Sequence, residues 1–144
     1  MRLVVDSSVA VKWFVTEAQS DEAQVLLDHE LIAPQLLVAE CANVFWKKAR
    51  KNEMTPGQAM IAAANVSGVV ELMGLSNLVM RAVDLANRLP HPAYDCLYLA
   101  LAEMERCPLV TADVRLRRRL DEAGDICAAE VLTLDAPLFA RGLS

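Results

Sequence analysis

The sequence is poor in aromatic residues (5%), glycine (five residues) and histidine (two residues), and it contains no C-x-x-C pair. His29 and His91 fall at no zinc-ligand spacing from Cys41, Cys96, Cys107 or Cys127, so a zinc centre is not expected. The cysteines are expected to be small core thiols of a reducing compartment. No apolar run approaches the roughly 20 residues that cross a bilayer. The run after Arg2 is broken at once by Asp6, unlike a signal peptide, so a cytoplasmic protein is expected. Net positive charge is missing too: 14 basic against 19 acidic residues give −5, which excludes a general nucleic-acid coat protein. A nuclease is not excluded, because the basic residues gather in two clusters. One is Lys47, Lys48, Arg50 and Lys51; the other is Arg115, Arg117, Arg118 and Arg119.

What the chain has in excess is apolar residues, 55% of 144. That argues against disorder, fits one domain over residues 1–144, and leaves surplus for an oligomer interface. The apolar residues come in short runs. "RLVV", "ELIAP", "GVVELM", "PLVT" and "AEVLTL" read as strands. Helices are predicted between them: one capped by Ser7 or Ser8 through "VAVKWFV", one over "SDEAQVLLDHE", and a long one over 35–51. Further helices are predicted from Thr55-Pro56 to about Val66, from Ser76 to about Leu89, after Pro92, and over "VRLRRRLDEA" to Gly124. Strands alternating with helices predict an α/β fold, a parallel sheet covered on both faces.

Ligands on such sheets bind beyond the carboxyl ends of the strands. Asp6 follows "LVV" and Asp113 follows "LVTA", so both are expected on that edge. Each is also a suitable helix cap, and its position alone does not decide between cap and ligand. Glu40 lies within "QLLVAECANVFWKKAR", with Leu36, Leu37, Asn43 and Val44 as helical neighbours, on or beside the apolar stripe. On a face bound for the core it must find a partner or take up a proton. Asp95, at the start of "YDCLYLALAE", has the helix dipole as its plain explanation. Four such acids packed together would repel one another, and a hard divalent ion, Mg²⁺ or Mn²⁺, would relieve the conflict. Such an ion polarises a phosphate and lowers the pKa of a bound water.

At these residues the sequence resembles the PIN-domain ribonucleases, and within them the toxins of VapBC-type toxin–antitoxin pairs. The resemblance is carried by "VVDSSVAVKWFV", "APQLLVAECANVFWK", "AYDCLYLALAE" and "PLVTADVRL", in that order. It implies a three-layer α/β/α sandwich with a central parallel sheet. It also implies Mg²⁺- or Mn²⁺-dependent cleavage of RNA by a metal-activated water, a homodimer, and a VapB-type antitoxin forming a heterotetramer or larger complex. Matched position by position, Asp6, Glu40, Asp95 and Asp113 are its acidic ligands, Thr111 supports the last acid, and Ser7 or Ser8 follows the first. No histidine base is required. Many relatives carry another acid just after the last aspartate; here Val114 and Arg115 stand there, which leaves the number of metal ions open and makes Arg115, with Lys47, an RNA-contact candidate.

Three other readings compete. A small-ester phosphohydrolase wants a second aspartate two residues after the first, where Ser8 stands. A receiver-like phospho-acceptor domain wants adjacent acids after the first strand and a lysine at the end of the last, and "VLTLDAP" has none. A PIN fold that only binds its partner needs none of the acids.

Overall fold

The structure is a computed structural model and describes residues 1–136 and residue 139. Five short strands form its sheet: β1 (Arg2–Val5), β2 (Glu30–Pro34), β3 (Glu71–Met73), β4 (Leu109–Thr111) and β5 (Val131–Thr133). All pairings are parallel and the order is β3-β2-β1-β4-β5. The helices are α1 (Ser7–Ala10), α2 (Ser20–Val25), α3 (Leu36–Arg50), α4 (Pro56–Asn65), α5 (Val79–Arg88), α6 (Ala93–Glu105) and α7 (Val114–Ala123).

The strand order reverses direction at β1. Because crossovers between parallel strands are right-handed, α1–α4 cover one face of the sheet and α5–α7 the other. The result is the three-layer α/β/α sandwich expected, with its topological switch point between β1 and β4. It is not the 2-1-3-4-5 order of receiver-like folds, so the phospho-acceptor reading is dropped. Among the described residues no helix is long and apolar enough to cross a membrane.

Both faces of the sheet are buried, which is why the strands read as unbroken apolar runs. Leu3, Val4, Val5, Ile32, Ala33, Leu109 and Val110 have no accessible surface. In α3 the buried residues Leu37, Cys41 and Phe45 recur every four positions, one stripe of an amphipathic helix. In α6 every residue from Cys96 to Ala102 is buried, so this helix is central and packs on β1, β2, β4 and α5. Arg81 of α5 fixes it from outside through two 2.9 Å bonds to Glu103.

Local signals set most boundaries. Thr55 and Gln58 form the capping box of α4, with Pro56 at its first position. The left-handed Gly124 (φ 79°) ends α7. Several expectations shift: the helix expected through "VAVKWFV" ends at Ala10 and gives way to a 3₁₀ turn over Val11–Trp13, the one over "SDEAQVLLDHE" ends at Val25, and "AEVLTL" is a strand only from Val131 to Thr133. The first helix is capped by Asp6, not by either serine: its side chain accepts from the Val9 amide. The helix expected from Ser76 begins at Val79, and "GVVELM" is a strand only from Glu71 to Met73. The cysteines are all free, but only Cys41 and Cys96 are core thiols, which burial pushes up to about 12 and about 11; Cys107 and Cys127 are half-buried.

Candidate active site

The register of the sheet fixes the first acid. Val5 pairs with Val110, so the next step places Asp6 beside Thr111. Thr111 is the one fully buried polar residue among those described. Its hydroxyl donates to Asp6 Oδ2 at 2.5 Å and accepts from the Asp113 amide at 3.0 Å, linking the acids that follow β1 and β4. Ser8 donates to Asp6 Oδ1 at 2.5 Å and accepts from the Ala112 amide at 2.9 Å. Burial pushes the Asp6 carboxyl up to about 6; its hydrogen bonds to Ser8, Thr111 and Val9 oppose the rise, and the nearby Asp95 adds to it.

The other acids reach the same edge by topology. α3 leaves the carboxyl end of β2 and carries Glu40 in its second turn. α6 runs back toward the amino end of β4, so its first turn, with Asp95, lies at the carboxyl edge. Glu40 finds its partner in Tyr98, whose buried hydroxyl donates to Oε1. Burial raises the Glu40 pKa; the Tyr98 bond opposes this and Asp95 reinforces it. Asp95 is thus in electrostatic reach of both Asp6 and Glu40.

Asp113 is placed differently. It caps α7 and accepts from the Arg115 amide at 2.9 Å. The Arg115 guanidinium then grips both its oxygens, at 3.1 and 3.2 Å. Desolvation works the other way, but Arg115 holds the Asp113 pKa below the usual carboxylate value.

The acids therefore share one edge without converging. Among the described residues no three His, Cys, Asp or Glu side chains stand close enough to hold a metal ion. The physical reason is visible in the pairings. Each acid is held by a protein partner: Asp6 by Ser8 and Thr111, Glu40 by Tyr98, Asp95 by His91, Asp113 by Arg115. The donors are nonetheless all hard carboxylate oxygens; burial is the main cause that raises Asp6 and Glu40, Asp95 adds to it, and a divalent cation would offset both. In chemical type the donor set fits Mg²⁺ or Mn²⁺.

Two residues of this edge carry roles that sequence reasoning missed. His91, unremarkable in sequence, has only 7% of its side chain exposed, and its Nε2 lies 2.6 Å from Asp95 Oδ2. The i, i+4 spacing of His91 and Asp95 was its available signal. Tyr98 was visible as a neighbour of Asp95, but its bond to Glu40 spans 58 positions and leaves no periodic trace. Of the RNA-contact candidates, Arg115 is exposed and borders the acids, and Lys47 is exposed on the last turn of α3. Other basic residues are partly engaged: Lys48 with Glu17 at 2.8 Å, Arg117 with the Val131 carbonyl at 2.6 Å.

Comparison with known proteins agrees with this architecture. The structure is similar to that of PAE2754 from Pyrobaculum aerophilum, at 21% identity and TM-score 0.72, covering 99% of this chain and 90% of that one. It is similar to VapBC2 from Rickettsia felis bound to a DNA fragment from their promoter, at 13% identity and TM-score 0.66, covering 92% and 98%. It is also similar to a toxin–antitoxin complex from Klebsiella pneumoniae, at 18% identity and TM-score 0.65, covering 92% and 97%. At these identities the likeness is one of fold. Among curated proteins the sequence finds no match. The family model of the PIN domain matches residues 3–122, a span that takes in Asp6, Glu40, Asp95 and Asp113. The chain belongs to the PIN-domain family.

Proposed function

We propose that this chain is a single-domain, divalent-metal-dependent endoribonuclease and the toxin of a type II toxin–antitoxin pair. The observation that carries the reading is that Asp6, Glu40, Asp95 and Asp113 all lie at the carboxyl edge by the β1/β4 switch point, the first and last linked through the Thr111 hydroxyl. PIN domains are generally nucleases, which agrees with it. The resemblance of the fold to toxin–antitoxin structures supports an antitoxin partner; a homodimer, its heterotetramer or larger complex with a VapB-type antitoxin, and a cytoplasmic setting are what the sequence's resemblance to VapBC toxins implies.

Asp6, Glu40 and Asp95 would hold Mg²⁺ or Mn²⁺, with Asp113 joining once it parts from Arg115. Bound there, such an ion supplies charge stabilisation at a phosphodiester and acidifies water. The chain's own residues do the rest. Ser8 and Thr111 keep the Asp6 oxygens in place, and Tyr98 keeps Glu40 turned toward the edge. Arg115, with 72% of its side chain exposed, exchanges Asp113 for an RNA phosphate at little cost, since exposed ion pairs are weak. Lys47 guides the strand from α3 without reading its sequence.

The test is cleavage of a structured RNA by purified protein with Mg²⁺ or Mn²⁺, then with chelator, then with metal restored. Cleavage that stops and returns supports the reading; cleavage indifferent to chelator contradicts it. No cleavage with either metal favours the competing reading, a catalytically silent PIN fold, which the dispersal of the acids recommends. Growth arrest on expression, relieved by the adjacent reading frame, is expected of the toxin.

Arg115→Ala tests the phosphate contact separately. RNA affinity, measured without metal across a salt series, is expected to fall, with the log–log salt slope smaller by about one contact. Thermal stability is expected to stay unchanged. An unaltered slope would confine Arg115 to its pairing with Asp113.

A further inference from the structure

The short turn between α5 and α6 places a histidine where the fold does not need one. His91 sits between Pro90 and Pro92, and its amide is anchored on the Ala86 carbonyl at 3.2 Å. Its ring is buried, Nε2 touches Asp95 Oδ2 at 2.6 Å, and Nδ1 has no hydrogen-bond partner among the described residues. Those contacts select the tautomer. A proton on Nδ1 would be a buried donor without an acceptor, while a bare Nε2 would set a lone pair against a carboxylate oxygen. The proton therefore belongs on Nε2, donated to Asp95.

A buried ring with one unsatisfied nitrogen is not what stability selects, and an apolar side chain would fill the space without that cost. What the ring supplies is direction. The Asp95 side chain is 38% exposed in the first turn of its helix, where an unheld carboxylate samples several rotamers. With Oδ2 pinned by a buried ring, one rotamer remains and Oδ1 is left to act as a ligand.

We propose that His91 is a positioning residue: its Nε2–H fixes the Asp95 carboxylate in the orientation that a divalent cation requires. The proposal rests on the reading of this edge as a metal site, and the experiment separates the two. The full chain is titrated with Mn²⁺ by calorimetry as wild type, His91→Leu, His91→Gln and Asp6→Asn, and each is melted in chelator. Wild type is expected to bind Mn²⁺ and Asp6→Asn to lose it. His91→Leu is expected to bind Mn²⁺ roughly 10–100-fold more weakly, the usual effect of losing a ligand's outer partner. Its metal-free melting temperature is expected to be equal or higher, because the orphaned nitrogen is gone. His91→Gln, whose amide nitrogen reaches the Nε2 position, is expected to recover most of the affinity. Should His91→Leu fail to fold, His91→Asn, too short to reach Asp95, is expected to show the same weakening. Unchanged Mn²⁺ affinity in His91→Leu, or a His91→Gln as weak as His91→Leu, overturns the positioning role alone. Wild type that binds no Mn²⁺, or Asp6→Asn that binds as wild type does, overturns the metal reading and this proposal with it.

Discussion

Asp6→Asn is expected to cripple RNA cleavage and, in the same molecule, to raise the stability of the metal-free protein above pH 6. The two effects share one cause. Asp6 is a half-buried carboxylate near another carboxylate, and loss of solvent pushes its pKa from 3.8 to about 6. In the unfolded chain it loses its proton near 3.8, in the fold only near 6. Between these values the unfolded state binds fewer protons, so stability falls as pH rises, and the whole penalty persists above the folded pKa. The shift of about two units corresponds to at most ~3 kcal/mol. Asparagine keeps the shape and can still accept from Ser8 and Val9 while Thr111 receives its amide. At about pH 7.5 in chelator the variant should therefore melt several degrees above wild type, and near pH 4 the gap should close. Divalent cation should raise the wild-type melting point and leave the variant's in place. Activity should fall on the order of 10³-fold, the kinetic equivalent of the several kcal/mol that a positioned ion contributes. A variant no more stable than wild type at any pH would mean that the Asp6 environment is not the strained one described.

Phe45→Ala is expected to carry the largest loss of stability, about 3–5 kcal/mol, with a melting temperature lower by ten degrees or more. The ring is 1% exposed on the buried stripe of α3, and it meets Phe14 edge-to-face, with centroids 5.8 Å apart at 81°. Phe14 closes the short 3₁₀ turn that follows α1, the helix capped by Asp6. The aromatic pair therefore binds the segment of the first acid to the helix of the second. Truncation leaves a cavity between them, so RNA cleavage should drop in Phe45→Ala even below its melting point. Phe45→Leu should recover most of the stability. A Phe45→Ala protein that melts within a degree or two of wild type would contradict the packing described.

Much of this arrangement was legible in the residues. "ELIAP" is strand β2 residue for residue, and Thr55, Pro56 and Gln58 start α4 as their chemistry dictates. The alternation of apolar runs with helical periods was enough for a parallel sheet, and the carboxyl-edge rule was enough to single out Asp6 and Asp113. What stayed hidden depends on contacts between distant segments. Val70 is buried like a strand residue but lies in the turn before β3, because burial does not by itself make a ladder partner. The helix expected at Ser76 waits until Val79, with Leu78 buried ahead of it. Tyr98 reads as one more core residue of an all-buried helix until Glu40 is placed against it. The sequence pointed to four acids on one edge but not to the partner each one takes. Arg115, two residues after Asp113, holds both oxygens of that acid, and His91 claims Asp95.

A metal-dependent nuclease requires those acids to close around a cation. The most direct measurement is an anomalous difference map, recorded at the manganese edge, from crystals of the protein soaked in MnCl₂. The predicted result is a peak bounded by Asp6, Glu40 and Asp95, with the Arg115 side chain withdrawn from Asp113. A map with no peak at the β1/β4 edge, or with manganese only on surface carboxylates elsewhere, would contradict it.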